Sequence, residues 1–367
     1  MEKIDYWKIK FGEDEIEKIS QSIRNVNISQ GKVSEELEKR ICELLNVKYC
    51  LVTLNGSTAI LMALLALGIK PGDEIIVPNR TWISTAHAPM ILGAKPVPVD
   101  VLPDKPVIDT NKIREKITEK TKAIVPVHLD GRDSNMEEIN LIARENNLAV
   151  IEDACQSFLS KTKNGEYLGT LSDIGCLSFS ITKLFSTAQG GALITNNEQL
   201  YNKLKLIRNN GTPSALTPEY NTLGSNFKFN DILASIGMVQ FSKPEERIEH
   251  VKKIYNKYNE VAKNLNYIKI IPVNLPEEIP MYVEVLCKDR EKLVSFLNEK
   301  NIHPRLFLPN VNSAPYIERT GDFPNSDNFE KNGLFLPCGP NLELESVNYV
   351  INALKEFEKI NQNPQTF

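Results

Sequence analysis

Residues 49–78, "YCLVTLNGSTAILMALLALGIKPGDEIIVP", decide the fold. The stretch opens on a short apolar run, "YCLVTL", which a small polar turn, "NGSTA", ends. "AILMALLALGI" follows, apolar all round, of helix length and closed by Gly68; "DEIIVP" is again a short apolar run. Short strands apolar on both faces, joined through a buried helix, are the repeating unit of a parallel sheet covered by helices. Working outward, the same texture returns in "KPVPVD", "KAIVPV", "LAVIED", "GCLSFS" and "GALIT". Most are separated by helix-length segments such as "NMEEINLIARENN". Between residues 48 and 200 this predicts an α/β fold with a mostly parallel seven-stranded sheet between helices.

Upstream, Ile16, Ile19 and Ile23 recur at helical spacing, and Ser34 ahead of Leu37, Ile41 and Leu44 reads as the cap of an amphipathic helix. Downstream the character changes near residue 244. "KPEERIEHVKKIYNKYNEVAKNL" is a long charged helix suited to connecting two domains. After it come "MYVEVLC", "REKLVSFLNEKN", proline-rich loops over 304–340 and a last helix, "LESVNYVINALKEFEKI". The expected division is a large domain over 1–243, with an N-terminal helical segment, and a smaller α+β domain over 244–367.

Composition excludes several classes. The chain has 367 residues, a net charge of −4 and no basic stripe, so a nucleic-acid partner is not expected. Six cysteines without a C-x-x-C pair, and four histidines, support neither a zinc site nor a disulfide framework. The first residues lack the apolar core of a signal peptide, and no run reaches the ~18 apolar residues of a membrane span. These features predict a reduced, cytoplasmic protein without a membrane or metal partner.

In open parallel sheets ligands bind beyond the carboxyl ends of the strands. There "YCLVTL" delivers Asn55-Gly56-Ser57-Thr58 at the start of a helix, a place that suits a phosphate; an ordinary Ser/Thr cap reads the same way. "LAVIED" delivers Glu152 and Asp153, with Gln156 just after. "GCLSFS" delivers Ser178, with Lys183 beyond it and Gly190-Gly191 opening the next strand. Trp82 follows "DEIIVP" and reads either as a core tryptophan or as an aromatic face for a ring. A phosphate cradle, an acid for a pyridinium nitrogen and a lysine on an adjoining loop are the set that pyridoxal phosphate chemistry uses. The lysine forms a Schiff base, and the acid keeps the ring an electron sink.

"NGSTAILMALLALGIKPGDEIIVP", "GAKPVPVDV", "VIEDACQS", "SFSITKLFSTAQGGALIT" and "LGSNFKFNDILASIGMVQ" stand in an order and spacing that resemble the DegT/DnrJ/EryC1/StrS family. These are sugar aminotransferases, fold-type-I pyridoxal phosphate enzymes, and the resemblance runs over roughly residues 25–350. It implies that Lys183 is the Schiff-base lysine and proton shuttle, Asp153 the partner of the pyridine nitrogen, and Gln156 a contact of the ring hydroxyl. Trp82 would stack on the ring, and Ser57, Thr58 and Ser178 would hold the phosphate. Asn226 would reach the phosphate from a partner subunit, which makes the active unit a homodimer. The implied reaction moves an amino group from L-glutamate to a keto-sugar, nucleotide-linked by family default, in cell-surface glycan biosynthesis.

The chain departs from the family pattern at three places. Asp130 stands in "HLDGR" where many relatives have an aromatic residue. Asn210 stands in "RNNGT" where many have histidine, and a histidine common after the proline of the substrate-side loop is missing from "PRLFLPNVNSAPYI". A smaller phosphorylated ketone or keto-cyclitol is therefore the alternative acceptor. Arg208 and Arg305 are candidates to grip an anionic substrate group, with a surface ion pair the expectation for Arg305. A decarboxylase using the same electron sink and a ligand-binding sensor are the competing functions; the intact Lys183, Asp153 and Gln156 set speaks against the sensor.

Overall fold

The computed structural model describes residues 2–214, 216, 218–319 and 321–360; residues 361–367 of the expected small domain lie outside them. A first short strand, β1 (Ile4–Asp5), precedes the seven strands read in the sequence. These are β2 (Tyr49–Thr53), β3 (Glu74–Pro78), β4 (Lys95–Val99), β5 (Thr121–Ile124), β6 (Ala149–Asp153), β7 (Ile174–Ser178) and β8 (Gly191–Thr195). They form one sheet in the order β2-β8-β7-β6-β5-β3-β4, in which only β8 runs antiparallel to its neighbours. The expected mostly parallel sheet is thus present. Side chains alternate between two cores, as a strand's period of two requires. Leu51, Ile75 and Val77 enter one cluster, whereas Cys50, Val52 and Ile76 enter clusters across the sheet. The apolar helix Gly56–Leu67 packs on the first side, with Ala59, Ile60, Ala63 and Leu64 buried, and ends at Gly68 in the left-handed region (φ 78°).

The helix predicted behind Ser34 spans Lys32–Leu45, and it starts earlier than that residue suggests. Its cap comes from elsewhere in the chain. The buried Asp231 carboxylate accepts the N–H groups of Gly31 (2.9 Å), Val33 (3.2 Å) and Ser34 (2.9 Å) and the Ser34 hydroxyl (2.6 Å). Ser34 therefore donates to the cap instead of providing it. Asp231→Ala strands these donors in a buried place, so a loss of about 2–4 kcal/mol is expected. Denaturant unfolding measures it; a change below about 0.5 kcal/mol would show that water replaces the carboxylate.

Beyond residue 244 the chain builds a second core. The helix Pro244–Ala262 joins the two: its Val251 packs in a large-sheet cluster, while Ile254, Tyr255 and Tyr258 lie in the second. A four-stranded antiparallel sheet carries that core, β9 (Ile268–Ile270), β10 (Val283–Cys287), β12 (Arg305–Leu306) and β13 (Gly333–Leu336), in the order β12-β13-β10-β9. The helices Arg290–Glu299 and Leu344–Ile360 cover it. β11 (Ile302–His303) pairs in parallel with β1, so the N-terminal strand, with Ile4 buried, lies against this second core. All six cysteines are free thiols. No helix among the described residues is long and apolar enough to cross a membrane.

Candidate active site

The carboxyl ends of β2, β3, β6 and β7 open onto a cavity of about 320 Å³, within the range of a small-molecule site. Its lining includes Ser57, Trp82, Asp153, Gln156, Ser178 and Lys183 from six separate predictions along the sequence. Its charged lining residues are Asp153, Lys183 and Arg305.

The end of β6 separates two acids that are adjacent in sequence. Glu152 points to the far face, where it accepts the N–H groups of Gly169 and Leu171 (both 2.7 Å) and the Ser172 hydroxyl (2.9 Å), and meets His128 Nε2 (3.0 Å). Asp153 points into the cavity. Its Oδ2 accepts the Thr85 hydroxyl (2.9 Å) and its Oδ1 the Cys155 N–H (3.2 Å), so its carboxylate is fixed in orientation. Thr85 belongs to the helix Ser84–Ile91 and contacts Thr81 one turn earlier (3.1 Å between hydroxyls). Nothing in the local sequence of "NRTWISTAH" points to this partnership.

Lys183 sits in the loop between β7 and β8. The loop is folded on itself by Phe179 N–H to Gly190 O (2.8 Å), Thr187 N–H to Phe179 O (2.9 Å) and Lys183 N–H to Ser180 O (3.0 Å). Two distant aromatic residues pin its outer side: Trp7 Nε1–H donates to Ile181 O (3.2 Å) and the Tyr282 hydroxyl to Thr182 O (3.0 Å). Burial lowers the Lys183 pKa below the ordinary lysine value; Cys155, Asp153 and Asp130 act in the opposite sense. Burial pushes the neighbouring Cys155 thiol well up, which keeps it neutral.

Two glycines allow the close packing at the helix start where the sequence reading expects a phosphate. A Cβ on Gly56 would lie 2.6 Å from Cys155 Sγ and 3.0 Å from Ser178 Cβ, and one on Gly191 would lie 2.5 Å from the Asn55 carbonyl carbon. The helix N-terminus thereby sits directly against the ends of β7 and β8, with Ser57 and Ser178 on the cavity. Thr58 is placed differently. Its hydroxyl and its N–H both donate to Asn55 Oδ1 (2.9 Å each), and Asn55 and Gly56 line the cavity in its stead. Trp82 is half exposed on the cavity, not a core residue. Asn226 is exposed and lies outside this cavity.

The ion pair expected for Arg305 falls to Arg208, the other candidate. Arg208 is the ion-paired one, buried against Glu38 (2.6 Å) and donating to Val52 O (3.0 Å). Arg305 lines the cavity and forms no ion pair among the described residues; its Nη1 donates to the Tyr6 hydroxyl (2.8 Å) and its guanidinium lies 5.1 Å from the Tyr6 ring centre. Tyr6, Tyr282, Leu308 and Phe335 complete that wall and come from chain segments that no local motif marks.

A sequence model of the DegT/DnrJ/EryC1/StrS aminotransferase family matches residues 10–355. The chain belongs to this family. It is 33% identical over 335 residues to a GDP-perosamine synthase of Escherichia coli O157:H7, covering 90% of this chain and 91% of the relative. A GDP-perosamine synthase of Caulobacter vibrioides is 32% identical, with 89% and 91% covered. Among solved structures, DesV of S. venezuelae, in complex with a ketimine intermediate, superposes with a TM-score of 0.91 at 26% identity, covering 97% of this chain and 99% of that one. The protein is accordingly a pyridoxal phosphate-dependent aminotransferase of fold type I. The donor set fits that cofactor: a glycine-lined helix N-terminus with two serine hydroxyls, an oriented carboxylate, an aromatic face and a half-buried lysine share one cavity.

Proposed function

We propose that the enzyme transfers the amino group of L-glutamate to the ketone of a nucleotide-linked sugar, as a cytoplasmic homodimer serving glycan biosynthesis. The observation that carries the reading is the shared cavity of Asp153 and Lys183, which only the meeting of β6 with the loop after β7 creates. The names of the relatives, GDP-perosamine synthases and, at 30% identity, a dTDP-4-amino-4,6-dideoxy-D-glucose transaminase of Shigella dysenteriae, support the sugar acceptor. Six unpaired cysteines favour a reducing compartment.

Pyridoxal 5'-phosphate supplies an aldehyde that condenses with amines and a ring that withdraws electrons from the adjoining carbon. Ser57, Ser178 and the N-terminus of the helix Gly56–Leu67 bind the phosphate. Asp153 keeps a proton on the ring nitrogen, Gln156 donates to the ring oxygen, and Trp82 covers the ring face. Lys183 holds and moves the proton at the substrate's amine-bearing carbon; a lowered pKa suits a base near neutral pH. Arg305, a cation without a carboxylate partner among the described residues, anchors the anionic end of the donor. Arg305→Gln is expected to raise the KM for glutamate about tenfold, roughly one charged hydrogen bond; an unchanged KM would remove Arg305 from the donor site.

A dimer is favoured by the apolar residues exposed on the single chain. Ile16 and Ile23 (both 55% exposed) and Val26 (76%) lie on or beside the first helix, and Tyr220 (76%) and Leu223 (74%) lie near Asn226 in sequence. Mixed dimers carrying Asn226→Ala on one chain and Lys183→Ala on the other test the shared site. They should regain one wild-type site; activity no greater than either mutant homodimer would separate Asn226 from the cofactor. The donor assignment is tested by the absorption spectrum before and after L-glutamate. A visible band that gives way on adding glutamate supports it, and a band that ignores glutamate while responding to another amino acid overturns the donor.

A further inference from the structure

Asp130 occupies a position with several demands on it at once. It is fully buried and holds φ 54°, ψ 39°, a left-handed conformation that asparagine, aspartate and glycine tolerate best. Its main-chain N–H donates to Gln156 Oε1 (3.1 Å). Its carboxylate Oδ1 accepts the main-chain N–H of Tyr282. The loop carrying it presses directly on the chain just before Tyr282, since a Cβ on Gly131 would lie 2.0 Å from the Ile279 carbonyl oxygen.

Resting on the function proposed above, we propose that Asp130 is a positioning residue that fixes Gln156 of the large domain and Tyr282 of the small domain relative to each other, and so sets the shape of the cavity. The Gln156 arm decides which end of an amide faces the cofactor. With Oε1 committed to the Asp130 N–H, the Gln156 NH₂ is left to donate, as a ring oxygen acceptor requires. The Tyr282 arm holds the wall whose hydroxyl grips Thr182 O, next to Lys183.

The charges around Asp130 leave its carboxyl free for this task. The buried Arg132 guanidinium directs Nη1 to Glu284 Oε2 (2.5 Å) and gives its other N–H groups to Pro272 O (2.8 Å) and Ile271 O (3.2 Å). Asp130 Oδ2 stands farther off, 3.4 Å from Nη2. One guanidinium thus serves two buried carboxyls, and Glu284 has the better contact. Burial, with Glu284 beside it, pushes the Asp130 carboxyl well above the usual carboxylate range. Removing the Asp130 side chain therefore leaves the Arg132–Glu284 pair complete, and the fold is expected to survive.

Three variants separate the two arms. Asp130→Asn keeps the left-handed turn, the N–H and an acceptor oxygen. Asp130→Gly keeps the turn and the N–H but loses the Tyr282 arm. Asp130→Ala disfavours the turn as well and so loosens both. The readouts are the dissociation constant for pyridoxal 5'-phosphate, by absorbance titration of resolved enzyme, and kcat/KM of the reloaded enzyme with the donor. Thermal melting by near-UV circular dichroism checks the fold. Asp130→Asn should stay within about twofold of wild type in both. Asp130→Gly should keep its cofactor affinity within about twofold and lose about tenfold in kcat/KM, and Asp130→Ala should lose about tenfold in both, each arm being of the order of one buried hydrogen bond. Asparagine falling as far as alanine would show that charge is what counts. Glycine and alanine both matching wild type, or sharing one cofactor affinity, would remove an arm. Each of these results overturns the proposal. A wild-type protein that takes up no pyridoxal 5'-phosphate would instead overturn the functional reading beneath it.

Discussion

Lys183→Ala should abolish turnover, with a loss of at least about 10³-fold, because a positioned proton-transfer group alone contributes on the order of 10²–10⁴ and, in the role proposed above, this residue would also supply the amine that holds the cofactor. The phosphate and ring contacts proposed above do not involve Lys183, so the variant should still take up pyridoxal 5'-phosphate, without the visible band of the covalently held form. With both proteins stripped of cofactor, its stability should not fall. Burial depresses the Lys183 pKa in the folded chain, so below the unfolded value, near 10.4, the unfolded state binds the proton more readily. That penalty is full at pH below the folded pKa and fades as pH rises through the window between the two values. Alanine removes it, and the cofactor-free variant should melt no lower than cofactor-free wild type at neutral pH. Turnover within tenfold of wild type would exclude Lys183 as the base; a large drop in melting temperature would mean that its role is structural.

Asp153→Asn should cost about 10³-fold in kcat, or about 4 kcal/mol of barrier, while cofactor affinity changes far less. The substitution keeps the shape at the end of β6 and leaves an oxygen to accept from Thr85 or the Cys155 N–H. What it removes is the negative charge proposed to hold a proton on the ring nitrogen, and the loss should therefore appear in the chemical step. Single-turnover absorbance changes with glutamate separate that step from binding. A rate within a factor of a few of wild type would reduce Asp153 to a turn residue tied to Cys155.

Much of this was legible in the chain itself. The seven apolar runs marked seven strands because buried parallel strands cannot afford polar residues on either face. Ser57, Trp82, Asp153, Gln156, Ser178 and Lys183 stood at the ends of those runs, where such sheets bind ligands. Readings that leaned on local pattern alone went less far. Ser34 has the chemistry of a cap, yet Asp231, some two hundred residues on, makes a charged acceptor available and takes that place. Thr58 stands beside Ser57, but the helix turns its hydroxyl to Asn55. An ion pair was expected for Arg305 and an anionic ligand was open to Arg208; the fold gave Glu38 to Arg208 and, among the described residues, the Tyr6 hydroxyl but no carboxylate to Arg305.

The sequence by itself determined the sheet, the strand ends and most of the cavity-lining residues named in advance, because all of these follow from hydrophobic periodicity and from groups a few residues away along the chain. Only the tertiary structure decided which acid faces the cavity with Thr85 behind it, which arginine pairs with Glu38, and how Tyr6, Trp7 and Tyr282 close around Lys183. Those choices depend on contacts between segments 68 to 299 residues apart, and no local preference encodes which of several equivalent polar groups will meet when the two cores pack together.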